Sequence, residues 1–108
     1  LGFPTANMAL TGLHLPRFGV YAVKVDVLTG PQAGSYMGTA SLGVRPMFGG
    51  VVPNLETFLM DFKGDLYGHH ISVALVEYMR DEMKFDGLPA LIEQMNADCD
   101  RAREILSA

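Results

Sequence analysis

Val20-Tyr21-Ala22-Val23-Lys24-Val25-Asp26-Val27-Leu28 decides the fold class, because its residues alternate in character. Side chains of a strand point to opposite faces in turn. Tyr21, Val23, Val25 and Val27 therefore share one face, with Lys24 and Asp26 on the other. Residues 29–34, Thr-Gly-Pro-Gln-Ala-Gly, are a turn or short loop. A second strand is expected over residues 36–44, rich in the small residues Gly38, Ala40, Ser41 and Gly43. Small residues in a strand mark the close approach of another backbone or a ligand. Residues 45–50 are expected to end it, with a loop running on to Pro53 and Asn54. A third strand is expected over residues 55–62 and a fourth over 71–79. Lys63-Gly64-Asp65 turns the chain between them. In the fourth, Ile71, Val73, Leu75 and Met79 are expected on one face. These connections are too short for crossover helices, so the strands are read as antiparallel.

The period changes from Leu88 onward. Leu88, Leu91, Ile92, Met95, Cys99, Ala102 and Leu106 recur at three- and four-residue spacing, the stripe of an amphipathic helix. Asp86 or Gly87 is its expected N-cap, and Pro89 suits the first turn. Glu93, Asp98, Arg101 and Glu104 are expected mostly off the stripe. Several strands followed by one helix point to a small β-barrel or an α+β domain.

The chain has 108 residues, the size of one domain that buries roughly 65% of its unfolded surface. Its hydrophobic fraction of 49% and charged fraction of 19% fit a soluble globular protein. A net charge of −4 argues against non-specific nucleic-acid binding. An anionic small substrate remains compatible if a cation or N–H groups meet its charge locally. The single cysteine excludes an internal disulfide and a cysteine-based zinc site. No apolar run reaches the length of a membrane span and no signal peptide is visible, so the cytoplasm is the expected compartment.

The opening segment Leu1-Gly2-Phe3-Pro4-Thr5-Ala6-Asn7 shows no helical or strand period. Pro4 stiffens it and pushes Phe3 towards an extended conformation. Thr5 and Asn7 are then expected to project from an irregular backbone. Their oxygens suit a hard cation such as Mg²⁺, and nearby N–H groups suit phosphate oxygens. The alternative is a plain turn in which both side chains bond local backbone.

Glu56 is the second candidate. It shares a strand face with Phe58, Met60 and Phe62, and Leu55, Thr57, Leu59 and Asp61 share the other. If the phenylalanine face is the core, Glu56 sits at its rim, where burial raises a carboxyl pKa and suits it to act as a general base. The alternative is a solvated glutamate, or one paired with Arg45. His69-His70 is no metal pair, since adjacent strand residues point to opposite faces and no third ligand is in view. Cys99 and the seven methionines read as core.

Taken in order, the motifs resemble the riboflavin kinase family. They are Gly2-Phe3-Pro4-Thr5-Ala6-Asn7, Gly19-Val20-Tyr21-Ala22-Val23, Gly43-Val44-Arg45-Pro46, Glu56-Thr57-Phe58-Leu59-Met60-Asp61-Phe62 with Gly64-Asp65-Leu66-Tyr67-Gly68, and Lys84-Phe85-Asp86. The match is nearest to the C-terminal kinase module of bacterial bifunctional riboflavin kinase/FAD synthetases and covers nearly the whole chain.

The resemblance implies a six-stranded antiparallel Greek-key β-barrel with a C-terminal helix. The strand that the family carries before Gly-Phe-Pro-Thr-Ala-Asn is expected to be missing. It implies transfer of the ATP γ-phosphate to the riboflavin 5′-hydroxyl, giving FMN and ADP, with Mg²⁺ as the divalent cation. It implies Glu56 as catalytic base, and Thr5 and Asn7 as residues holding the cation and the phosphates. It further implies Asp65, Leu66, Tyr67 and Gly68 beside the nucleotide, and Arg80, Lys84 and Phe85 on a mobile flavin-side loop. The implied partners are the two small-molecule substrates and, in the native protein, a covalently linked N-terminal adenylyltransferase module. No nucleic acid or membrane is implied. Met47 stands where the family commonly has threonine, and Asp81 where proline is common. The alternative function is an N-terminally truncated, catalytically inert flavin- or nucleotide-binding module.

Overall fold

A computed structural model describes residues 4–9 and 14–108. Five strands and one helix follow in chain order: β1 (Thr5–Ala9), β2 (Gly19–Val27), β3 (Gly34–Met47), β4 (Gly50–Leu59), β5 (Ile71–Arg80) and α1 (Leu88–Leu106). The strands form one antiparallel sheet of order β1-β4-β3-β2-β5. Strands β2, β3 and β4 are a meander, and β5 returns beside β2, which is the Greek-key arrangement. The fold is thus mainly β with a terminal helix, as expected. Among the described residues β1 and β5 are the two edges, and the sixth strand of the expected barrel is not present.

The valine alternation of β2 is realised. Val23, Val25 and Val27 are buried in the inner core with Tyr21, Ala40, Leu42, Leu55 and Leu59. Lys24 and Asp26 are exposed. Ala22, on the opposite face, is fully buried because α1 lies across it with Cys99 and Ala102, beside Met60. The sheet therefore has two covered faces, an inner one and one beneath the helix. The helix begins at Leu88 with Gly87 as N-cap and Pro89 in its first turn. It is not long and apolar enough to cross a membrane.

Several expectations are corrected. Residues 5–9 form a strand rather than an irregular segment, because β4 supplies hydrogen-bonding partners from Asn54 to Phe58. Residues 45–54 are not a loop. They complete a long β3–β4 hairpin that turns at Gly49, whose φ of 87° only glycine adopts easily.

The core face of β4 carries Leu55, Thr57 and Leu59, not Phe58. Phe62 still reaches the inner core because Asp61, at φ 61°, breaks the alternation just after the strand ends. In β5 two register shifts opposite β2 do the same. Tyr78 packs on the inner core, and Met79 packs on the helix side rather than with Ile71, Val73 and Leu75. Asp98 is buried instead of lying off the helix stripe.

Gly38 and Gly43 mark close approaches, as small strand residues suggested. A Cβ on Gly38 would overlap the Phe58 carbonyl oxygen, and one on Gly43 would overlap the Glu82 carboxylate.

Candidate functional site

Paired residues of an antiparallel ladder point to the same face, so the register places the candidates. Asn7 pairs with Glu56, Glu56 with Ser41, Ser41 with Val20, and Val20 with Arg80. One row across all five strands thus carries Asn7, Glu56 and Arg80 on the face that also bears the helix. The neighbouring row carries Thr5, Phe58, Thr39 and Ala22. Thr5 and Asn7 are exposed, whereas Glu56 is half-buried. Glu56 makes no ion pair with another described residue, Arg45 included.

Three cavities meet at these residues. A cavity of about 680 Å³ lies between the sheet and α1, with Val20, Phe58, Phe85, Leu91 and Met95 as apolar walls. Thr5, Glu56, Arg80 and Lys84 also line it. A second cavity, of about 550 Å³, lies between β1 and the segment before β5, and is lined by Thr5, Asn7, Asp65, Leu66 and Tyr67 among others. A polar cavity of about 340 Å³ contains Asn7, Asn54 and Glu56. Thr5 borders the first two, Asn7 the second and third, and Glu56 the first and third.

The segment before β5 is held from below and open above. Leu66 is buried in the inner core, while the Asp65 carboxylate accepts a hydrogen bond from the Tyr67 backbone N–H at 3.1 Å. Tyr67 is fully exposed, and Gly68 has φ 78°. His69 faces Thr29, its Nδ1 lying 3.1 Å from the Thr29 carbonyl oxygen. His70 is exposed in the second cavity.

Arg80 is a tether as well as a wall of the larger cavity. Its Nε and Nη2 donate to the two oxygens of Asp98 at 2.9 and 2.7 Å, and Nη1 donates to the Asp81 carbonyl at 2.9 Å. The end of β5 and the start of the loop carrying Lys84 and Phe85 are thereby fixed to α1. Asp81 also pairs with Arg17 at 3.0 Å and accepts the Tyr78 hydroxyl. Arg17 sits 4.4 Å above the Tyr78 ring. The hydrogen bond from Tyr78 and the Arg17 charge hold the Asp81 carboxyl below the usual range. The same hydrogen bond, with partial burial, raises the Tyr78 hydroxyl. Burial, reinforced by Asp98, pushes the Cys99 thiol up, which suits a core residue rather than a nucleophile.

Thr5, Asn7, Glu56, Asp65, Leu66, Tyr67, Arg80, Lys84 and Phe85 all line these three cavities, whereas Gly68 lines none of them; Leu1, Gly2 and Phe3 of the opening segment lie outside the described residues. Sequence reasoning missed Asn54, Ser41, Glu82 and Asp98. Asn54 falls where the sequence suggests a loop, and only its position two residues before Glu56 hints that it shares that face. Asp98 offered no local signal, since its partner is on β5.

Among the described residues no group of three His, Cys, Asp or Glu side chains could hold a metal. The donors beside Glu56 are instead the neutral oxygens of Thr5 and Asn7. That set fits a hard cation that keeps several waters and is otherwise bound by phosphate oxygens.

A riboflavin kinase (flavokinase) family model matches residues 1–106. The bifunctional riboflavin kinase/FMN adenylyltransferase of Pseudomonas fluorescens is 41% identical over 106 residues, covering 97% of this chain and 33% of the relative. Its counterpart from Escherichia coli strain K12 is 41% identical over 104 residues, covering 96% and 32%. A solved structure described as a macrolide-efflux protein from Streptococcus pneumoniae superposes with a TM-score of 0.78 at 35% identity. That alignment covers 94% of this chain and 33% of the other. The chain spans about a third of the length of the curated relatives it matches.

Proposed function

Since this chain belongs to the riboflavin kinase family, we propose that it transfers the γ-phosphoryl group of ATP to the riboflavin 5′-hydroxyl, giving FMN and ADP. In this reading residues 1–108 are one kinase domain working in the cytoplasm. The adenylyltransferase activity in the relatives' names is not assigned to this chain, which matches only a third of their length.

One observation carries the reading. Thr5, Asn7 and Glu56 share one sheet face at the meeting of the three cavities, each lining two of them. The larger cavity has the walls an isoalloxazine ring needs, with Lys84 and Phe85 on its loop side and Arg80 anchoring that loop. The cavity beside Asp65, Leu66, Tyr67 and Gly68 would take the nucleotide. The reacting hydroxyl and phosphate then meet beside Thr5, the residue common to both cavities.

Glu56 accepts the proton of the 5′-hydroxyl as its oxygen bonds to the γ-phosphorus. The bond from that phosphorus to the β–γ bridging oxygen breaks, and ADP leaves with the electron pair. Phosphoryl transfer asks the protein mainly for alignment and charge neutralisation. Thr5 and Asn7 would hold Mg²⁺ and orient the phosphates. When bound, the cation supplies the positive charge that a chain of net charge −4 lacks.

The test is FMN formation by the purified chain with riboflavin, ATP and Mg²⁺, with Glu56→Gln in parallel. Loss of a general base predicts a fall of about 10²- to 10⁴-fold in kcat with the fold retained. Equal FMN formation by both proteins would remove Glu56 from the mechanism. If neither forms FMN, the assay is repeated with the chain extended at its N-terminus by the segment that precedes the matched region in the relatives. Continued silence would reject the kinase reading.

A further inference from the structure

Asn54 is a buried polar residue whose own hydrogen bonding is incomplete. It is only 8% exposed, on the same face of β4 as Glu56 and between Ala9 of β1 and Gly43 of β3. Its Nδ2 donates to the Asn7 Oδ1 at 3.1 Å. Its own Oδ1 is buried with no described hydrogen-bond partner. An unpaired buried carbonyl destabilises a protein, and an apolar residue of similar volume would avoid it. The gain must lie in what Asn54 does to its neighbour.

Asn7 is exposed on an edge strand, and described neighbours flank that strand on the β4 side only. A free asparagine there samples several rotamers, and ordering it on binding weakens affinity. The Asn54 amide occupies one lone pair of the Asn7 oxygen and fixes the carboxamide plane. The second lone pair then has a set direction beside the cavities Asn7 lines.

We propose that Asn54 is a positioning residue that orients Asn7 towards the cation and phosphates of the bound nucleotide. The inference rests on the role given to Asn7 above. Partners that orient a metal ligand commonly change metal affinity by about 10- to 100-fold when removed.

Calorimetric titration of Mg²⁺·ADP onto the parent, Asn7→Ala, Asn54→Leu and the double variant tests it, with melting temperatures in parallel. The expected result is binding about tenfold weaker in Asn54→Leu, with a melting temperature equal to or above the parent's. The double variant should bind no worse than Asn7→Ala alone, because Asn54 acts only through Asn7. A structural role gives the opposite pattern, lower melting temperature with unchanged affinity, and overturns the inference. Additive losses in the double variant also overturn it. A parent that fails to bind, or an Asn7→Ala variant that binds like the parent, instead removes the role of Asn7 on which the inference stands. If Asn54→Leu does not fold, Asn54→Ala replaces it. Failure of both to fold makes Asn54 structural and ends the proposal.

Discussion

Asn7 and Glu56 stand directly opposite each other in the β1–β4 ladder, one exposed on an edge strand and the other half-buried on its neighbour. Directly paired side chains in such a ladder lie about 4.5–5.5 Å apart at Cβ. On the proposed reading, this pairing brings a phosphate-side residue and a proton acceptor together through the ladder itself. Asn7→Ala should raise the KM for ATP and make turnover need more Mg²⁺, with a smaller effect on kcat than Glu56→Gln. Initial rates over a grid of ATP and Mg²⁺ concentrations would check this. A pure kcat loss in Asn7→Ala would contradict it.

The Arg80–Asp98 pair ties the end of β5, where the loop carrying Lys84 and Phe85 begins, to α1 and is largely shielded from water, with side-chain exposures of 22% and 9%. Asp98→Ala leaves a guanidinium partly buried without its partner. That should cost about 3 kcal/mol in urea denaturation. The loosened loop should also raise the KM for riboflavin more than that for ATP. An unchanged denaturation midpoint would show that water replaces the carboxylate.

Gly38 and Gly43 are predicted to differ sharply when changed to alanine. The new methyl at residue 38 meets backbone, the Phe58 carbonyl oxygen, so the two strands must move apart. The expected loss is about 1–3 kcal/mol. At residue 43 the methyl meets only the end of the exposed Glu82 side chain, which can rotate away. Stability should then change by less than about 0.5 kcal/mol. Parallel melting curves would decide, and equal losses would refute the distinction.

The Asp81–Tyr78–Arg17 contact predicts pH effects of fixed sign. Asp81 titrates below its ordinary value in the folded chain, so its contribution is present above about pH 4. That contribution is lost as the pH falls through the folded value. Tyr78 titrates above its ordinary value, so its contribution is present below about pH 10 and lost as the pH rises further. Asp81→Asn should flatten the acid limb of a stability-versus-pH curve. It should also let one tyrosine ionise earlier in an absorbance titration. An unchanged tyrosine titration would count against the contact.

The Lys24/Asp26 alternation of β2 was legible because one covered and one wet stretch of strand leave a period-two trace. The helix was legible from its apolar stripe, down to its first residue. The strand over residues 5–9 was not, since a short edge strand with Pro4 before it shows little periodicity and exists through pairing with β4. The inner face of β4 was not legible, because both faces carry large apolar residues. Which face is inner depends on Leu42 and Val23, which are distant in sequence.

By itself the sequence determined the antiparallel set β2 to β5, the terminal helix and the family motifs, with Thr5, Asn7 and Glu56 as site candidates. These follow from local periodicity and from residue types that only certain chemistry requires. Tertiary structure alone decided that Asn7 faces Glu56, that Asn54 holds Asn7, and that Arg80 reaches Asp98. Each depends on strand register, on the two shifts in β5, or on where α1 crosses the sheet. A one-residue slip in register turns a side chain to the opposite face, and no local stretch of sequence records the register of its partner.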